Sequence, residues 1–256
     1  MQSTDASPPD ATAAGLPLLY CDDDLLVVNK PPALAAHRSN LVGDDDDYLI
    51  DRLRRQVGGS LYLAHRLDRA TSGALVVARS TAVATEIGRQ LMDRSVEKAY
   101  LAVVRGWPDE TGTIDHPLTG SSLKGAPKPA VTHWRRLARV ELPIPMGRYP
   151  QQRYSLLEVQ PQTGRYQQIR RHFAHISHHL VGDTTHGRGD HNRLFRIHWA
   201  MHRLLLHAWR VGFTHPVSGQ RVAVSAPLDA SWNRILDTFG WQSAIAGAAP
   251  KTDPHG

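Results

Sequence analysis

Apolar residues in this chain come in short runs separated by polar and turn-forming clusters, and their periods sort the runs into strands and helices. Leu18–Cys21 and Leu25–Lys30 read as a hairpin joined by Asp22-Asp23-Asp24, with Pro31-Pro32 closing the second strand. The acidic run at 44–47 reads as a solvated loop ahead of a short helix over 48–57. At 63–68 the chain reads as a strand whose alternation sends His65 and Leu67 to one face and Arg66 and Asp68 to the other. Thr71-Ser72-Gly73 breaks it, and the uniformly apolar 74–78 predicts a buried strand. Val83, Ile87 and Leu91 have helical spacing over 81–94, with Ser80 as N-cap. Strands follow over 98–106, 130–137 and 153–160, with a Gly/Pro/Lys-bearing loop at 120–129. Thr163-Gly164 gives a turn, and Ile169, Phe173 and Ile176 form the buried stripe of a helix over 165–177. A strand and turn at 204–219, a short strand at 222–224 and a helix at 231–239 complete the reading. No internal repeat is present.

Residues 1–16 and 243–256 are poor in large apolar side chains and read as disordered tails, so the folded domain is expected over 17–242. With 41% hydrophobic and 21% charged residues in a length of 256, the composition is that of a soluble globular protein with a substantial core. The longest apolar runs are strand-sized, which argues against a membrane span. No basic segment followed by an apolar one opens the chain, so no secretory signal is expected. The single Cys21 leaves no partner for an intrachain disulfide or a Cys-rich zinc site and suits a reducing cytoplasm.

The net charge is +6, and it is unevenly spread: between Thr163 and His215 there are eight Arg and ten His against two Asp. Such a distribution fits a face that attracts phosphate, or an ordinary Arg-rich surface.

The chemistry centres on Leu63-Ala64-His65-Arg66-Leu67-Asp68-Arg69-Ala70-Thr71-Ser72-Gly73. An Asp on a turn between core segments is either a catalyst or half of an internal ion pair, and spacing alone leaves both open. His65-Arg66-Leu67-Asp68 followed by Thr71-Ser72-Gly73 resembles the H-R-L-D-x-x-T-S-G signature of RluA-type pseudouridine synthases, matched at every fixed position. Further segments resemble that family's boxes: Asn29-Lys30-Pro31, Lys98-Ala99-Tyr100-Leu101-Ala102, and Thr163-Gly164-Arg165-Tyr166-Gln167-Gln168-Ile169-Arg170-Arg171-His172. Leu204-Leu205-Leu206-His207-Ala208 resembles the closing box. Three positions depart from the pattern: Ala33 stands where the family usually has Gly, Gln167 where it has His, and His179 where it has Pro.

The resemblance implies an α+β fold: one catalytic domain with a mixed, largely antiparallel sheet, flanking helices and a central cleft, and no room for an S4-type RNA-binding domain. It implies that Asp68 is catalytic, that Arg170 pairs with it and that Tyr100 lies against the target base. Arg66 is placed to fill the gap left by a flipped base. His65, Thr71, Lys30, Arg69, Arg165 and Arg171 complete the candidate substrate-binding set, the Arg and Lys among them for phosphate. Pro129-Ala130-Val131-Thr132-His133-Trp134, Gly147-Arg148-Tyr149-Pro150 and Trp232 through Trp241 resemble the branch that acts on uridine 65 in the acceptor stem of tRNA, with ribosomal RNA as the alternative substrate.

The implied reaction breaks the N1–C1′ bond of a uridine, turns the uracil and rejoins it through C5. No atom is gained or lost, so no cofactor or metal is expected, and the sequence carries no P-loop, dinucleotide fingerprint or H-E-x-x-H motif. Asp68 acts as nucleophile or as base; both stay open. Enclosing a carboxylate raises its pKa, whereas a guanidinium within about 4 Å lowers it, with an attraction of roughly 4 kcal/mol at an effective dielectric of ~20. Two rival readings exist. His172, His175 and His179 fall at i, i+3 and i+7 on the expected helix and could face a metal. The scaffold could also be a non-catalytic RNA-binding module. RNA, most specifically tRNA, is the expected partner; neither a membrane nor an obligate protein partner is expected.

Overall fold

The computed structural model describes residues 15–37, 47–120 and 125–248. Positions 44–46 of the loop expected at 44–47, and positions 121–124 of the 120–129 loop, lie outside these residues. Strands β1 (Leu18–Cys21), β2 (Leu25–Lys30), β3 (Tyr62–Leu63), β4 (Ser72–Ala78) and β5 (Glu97–Arg105) are followed by β6 (Thr111–Asp115), β7 (Val131–Leu142), β8 (Gln152–Pro161), β9 (Leu206–Thr214) and β10 (Arg221–Ser225). Among the described residues they form one ten-stranded sheet in the order β1-β2-β4-β9-β5-β8-β7-β6, with β3 added to β4 and β10 to β9. The β4–β9 pairing is parallel, and the others are antiparallel. This is the α+β architecture expected.

Helices cover both faces: α1 (Leu49–Val57), α2 (Thr81–Met92), α3 (Gln168–His175), α4 (Gly189–Trp199), α5 (Ala230–Phe239) and α6 (Gln242–Ala248). The period-2 alternation of the strands decides which helix meets which face. In β5, Leu101 and Val103 pack with Leu194, Phe195 and Trp232 of α4 and α5. The intervening Ala102 and Val104 pack with Ile169 and Phe173 of α3. The same division holds for β2, whose Leu26 and Val28 meet Leu49 and Leu53 of α1, while Leu25 and Val27 meet Val83 and Ile87 of α2. Ser80 caps α2 as expected, its Oγ accepting from the Val83 N–H at 3.2 Å.

Several expectations are corrected. The motif at 63–68 is not a strand: β3 ends at Leu63, and the ladder stops because the His65 side chain takes its place, Nε2 accepting from the Val76 N–H at 3.2 Å. Thr71-Ser72-Gly73 does not break a strand either; Ser72 and Gly73 begin β4. Helix α3 starts at Gln168 rather than 165 because Gln167 is left-handed, φ 50°, and it ends at His175, before Ile176 and His179. Helix α4 was not foreseen.

The folded part also extends past the expected 17–242. The Leu16 backbone N–H and C=O both bond to the Gln56 amide, at 2.7 and 3.0 Å. Beyond 242, α6 runs on to Ala248, whose C=O accepts from Arg210 Nη1 at 3.0 Å. Among the described residues no helix is long and apolar enough to cross a membrane.

Candidate active site

Asp68 occupies the first position of a tight turn, the Thr71 N–H donating to its C=O at 3.0 Å, a position Asp favours. The preceding Leu67 is buried among Leu34, Leu49 and Leu75, which fixes the loop to the core. Burying a Leu side chain is worth about 2 kcal/mol. The loop is further held by parallel pairing of Ser72 and Gly73 with His207 and Ala208. Gly73 has φ 110°, and a Cβ there would lie 2.2 Å from the Ala208 carbonyl oxygen, so only glycine fits. The Asp68 side chain is left one-quarter exposed, open to a cleft.

Across that cleft, Arg170 of α3 reaches Asp68 with Nη1 at 3.2 Å from Oδ2, as expected. Its stronger attachment is to Asp183, a residue to which the sequence reading gave no role. Nε and Nη2 of Arg170 donate to Oδ2 and Oδ1 of Asp183, each at 2.8 Å. Asp183 also accepts the Thr185 and His186 N–H groups, both at 2.9 Å. Burial pushes the Asp183 carboxyl up, but the Arg170 and backbone hydrogen bonds outweigh it and hold the group below its usual range. Burial likewise lowers the Arg170 guanidinium, and its two carboxylates more than offset this. Gly182 (φ 78°) permits the turn: a Cβ there would meet the Arg203 carbonyl oxygen at 1.9 Å.

Tyr100 stands on β5 where the pairing with β9 slips, Ala99 facing Arg210 and Tyr100 facing Ala208. The extra residue is Trp209 of β9, a bulge that could not be read from the sequence. Burial and the Asp68 charge raise the Tyr100 phenol, which stays protonated. Asp68, Arg170 and Tyr100 line one cavity of about 670 Å³, together with His65, Arg66, Thr71 and Arg165. That volume lies within the range of small-molecule sites. Arg66 is exposed at its edge. Burial pushes the His65 imidazole down to about 4, leaving it neutral. Lys98, also unassigned by the sequence reading, lines the cavity as well.

The remaining candidates are placed differently. Lys30 has no exposed surface, and its ammonium donates to the carbonyls of Pro31, Leu34 and Arg69 at 2.8, 2.9 and 3.1 Å. All three N–H groups are spent, so the expected phosphate contact is excluded; Lys30 ties the chain after β2 to the motif loop. Arg69 is exposed and does not line the cavity, its Nε donating to the Ala33 C=O at 2.8 Å. Arg171 is also outside the cavity and binds Thr119, Nη1 to the C=O at 2.7 Å and Nη2 to Oγ1 at 3.0 Å. Gln167 replaces an imidazole with an amide, whose Oε1 accepts from His186 Nε2 at 2.7 Å.

The three histidines of the metal reading do not converge. His172 is buried and uses both ring nitrogens, on Thr132 Oγ1 at 2.9 Å and the His116 C=O at 3.0 Å. His175 stacks on the His116 ring, 3.8 Å between centroids. His179 lies beyond the helix, donating to the His186 C=O at 2.6 Å. Among the described residues one other cluster has ligand spacing, Asp22, Asp24 and His215. There His215 Nδ1 accepts two backbone N–H groups, so Nε2 carries the proton and donates to Asp22 at 3.0 Å.

Comparison with known proteins places this geometry in context. Residues 24–175 match the model of the RNA pseudouridylate synthase family. The chain is 44% identical over 239 residues to tRNA pseudouridine synthase C of Vibrio cholerae, covering 90% of this chain and 98% of that one. It is 41% identical to the protein of the same name from Salmonella typhi, again over 239 residues, covering 90% and 92%. Among solved structures, human RNA pseudouridylate synthase domain containing 1 is 28% identical with a TM-score of 0.66, covering 91% of this chain and 98% of that one.

Proposed function

The chain belongs to the RNA pseudouridylate synthase family, an isomerase acting on RNA, and from that premise we propose that its substrate is tRNA and its target uridine 65 in the acceptor stem. Support for tRNA comes from the relatives called tRNA pseudouridine synthase C, which match over nearly their whole length. A domain over residues 16–248 carries the reaction, in the cytoplasm, without a cofactor.

In this reading the uridine leaves its stack and enters the cavity. Its uracil lies on the Tyr100 ring, a contact typically worth ~1–3 kcal/mol. Arg66, exposed at the cavity edge, occupies the gap in the RNA. Asp68 begins the reaction as nucleophile or base, oriented by Arg170. The observation that carries the proposal is the Asp68–Arg170 contact, 3.2 Å, opening on a cavity shared with Tyr100. Arg165, half-buried, lining the same cavity and donating through Nε to the Pro129 C=O at 3.1 Å, is the remaining candidate for a phosphate contact from the original set.

Mapping pseudouridines in tRNA and ribosomal RNA from a strain lacking the gene tests the substrate. Loss at uridine 65 of tRNA alone is expected; loss in ribosomal RNA instead would overturn the assignment.

A further inference from the structure

One wall of the cavity remains unexplained by Asp68, Arg170 and Tyr100. It is built from the end of α2 and the start of β5, and it brings Leu91, Met92, Arg94 and Lys98 into the same cavity as His65. Five cations line the cavity (Arg66, Arg94, Lys98, Arg165 and Arg170) against one carboxylate, Asp68. That carboxylate is already engaged by Arg170.

Lys98 is the most informative of the five. It is half-buried, and its ammonium makes no hydrogen bond or ion pair with any described residue. Burial holds its pKa down. The neighbouring Glu97 points to the other face of the strand and pairs with Arg221. Lys98 and Tyr100 line the same cavity, two residues or ~7 Å apart along the strand. The spacing is comparable to the separation of a base from its own phosphate. Arg94 enters the same wall from a left-handed position just past α2, φ 60°. Its guanidinium is exposed and likewise unpartnered among the described residues. His65, lining the same cavity, adds no competing charge because its Nε2 is committed to the Val76 N–H.

A partly desolvated, unpaired ammonium is costly unless an anion completes it. We propose that Lys98 and Arg94 form a phosphate site, which binds a backbone phosphate flanking the nucleotide whose base lies on Tyr100. The proposal rests on the RNA reading above and names two residues of the chain that bind the target nucleotide's backbone.

The test uses the full-length protein in an Asp68→Asn background, so that binding of an unmodified tRNA transcript is read without turnover. Lys98→Met is expected to weaken binding about tenfold, as for loss of a charge-assisted contact. It should also reduce the slope of log affinity against log salt by about one unit. Lys98→Arg should restore both. Replacing the phosphate on either side of uridine 65 in turn with an uncharged methylphosphonate should, at one of the two positions, weaken binding to the Lys98 protein equally. That substitution should add nothing to the loss in Lys98→Met. Full additivity at both positions, or an unchanged salt slope, would overturn the phosphate site. Turnover of the same transcript by the protein with Asp68 intact checks the substrate separately. Its absence would sink the tRNA reading, while a reduced slope would still support the phosphate site.

Discussion

Arg170 donates through Nε and Nη2 to both carboxylate oxygens of Asp183 at 2.8 Å, and reaches Asp68 with Nη1 alone, at 3.2 Å. The fork is therefore set by a carboxylate behind it, and Asp68 receives a guanidinium whose plane is already fixed. Asp183 also shares the positive charge, so the Asp68–Arg170–Asp183 group carries one net negative charge when all three are ionised.

Asp183→Asn removes the anchor while keeping its shape. Truncating one member of a buried ion pair costs about 3 kcal/mol, and pseudouridine formation should fall at least about tenfold as the fork loses its orientation. Because the Asp183 carboxyl is held below its ordinary 3.8, its stabilisation is complete above that value and lost as pH falls through the native pKa. Acid unfolding followed by circular dichroism should thus be less steep below about pH 4 in the variant. An unchanged acid limb would show that Asp183 is not the anchor.

Lys30→Met separates a structural lysine from a phosphate-binding one. Three buried or part-buried carbonyls lose their donor, which costs on the order of 2–4 kcal/mol. Thermal unfolding should shift down accordingly. The salt slope of RNA binding should be unaffected, since the ammonium reaches no surface. A slope reduced by about one unit would restore the phosphate role that its burial excludes.

Ala33 carries φ 65°, a left-handed conformation where the family pattern has Gly. Its C=O accepts from Arg69, so the strain is held by a contact to the motif loop. Ala33→Gly should raise stability by about 0.5–1 kcal/mol, read from denaturant midpoints. A destabilised variant would mean that the entropy of the unfolded chain outweighs the relieved strain.

The parts of the fold that were legible in the sequence are those with a local cause. β2, β4 and β5 announce themselves as apolar runs because both their faces are covered, and α2 carries its own cap in Ser80. The motif loop deceived because His65, Leu67, Arg66 and Asp68 alternate as a strand would, while the His65 ring, a side chain, ends the pairing. Gln167 shortened α3 through a left-handed backbone that a non-glycine residue does not advertise. Helix α4 was missed since charged and His side chains interleave its buried Leu194 and Phe195, and Arg188 ahead of it provides no side-chain cap.

The site itself was legible only through its motifs. Asp68 and Arg170 lie 102 residues apart, and no local pattern joins them. Asp183 and Lys98 stayed silent for the same reason: their roles come from what the sheet and α3 bring beside them.

In the proposed reaction Asp68 starts the chemistry, whereas binding resides in the surrounding cations and the Tyr100 ring. Pseudouridine formation in a tRNA transcript by Asp68→Asn, with affinity for that transcript measured in parallel, tests it most directly. Binding comparable to that of the unaltered protein and no pseudouridine are expected. Conversion at an undiminished rate would contradict that role of Asp68.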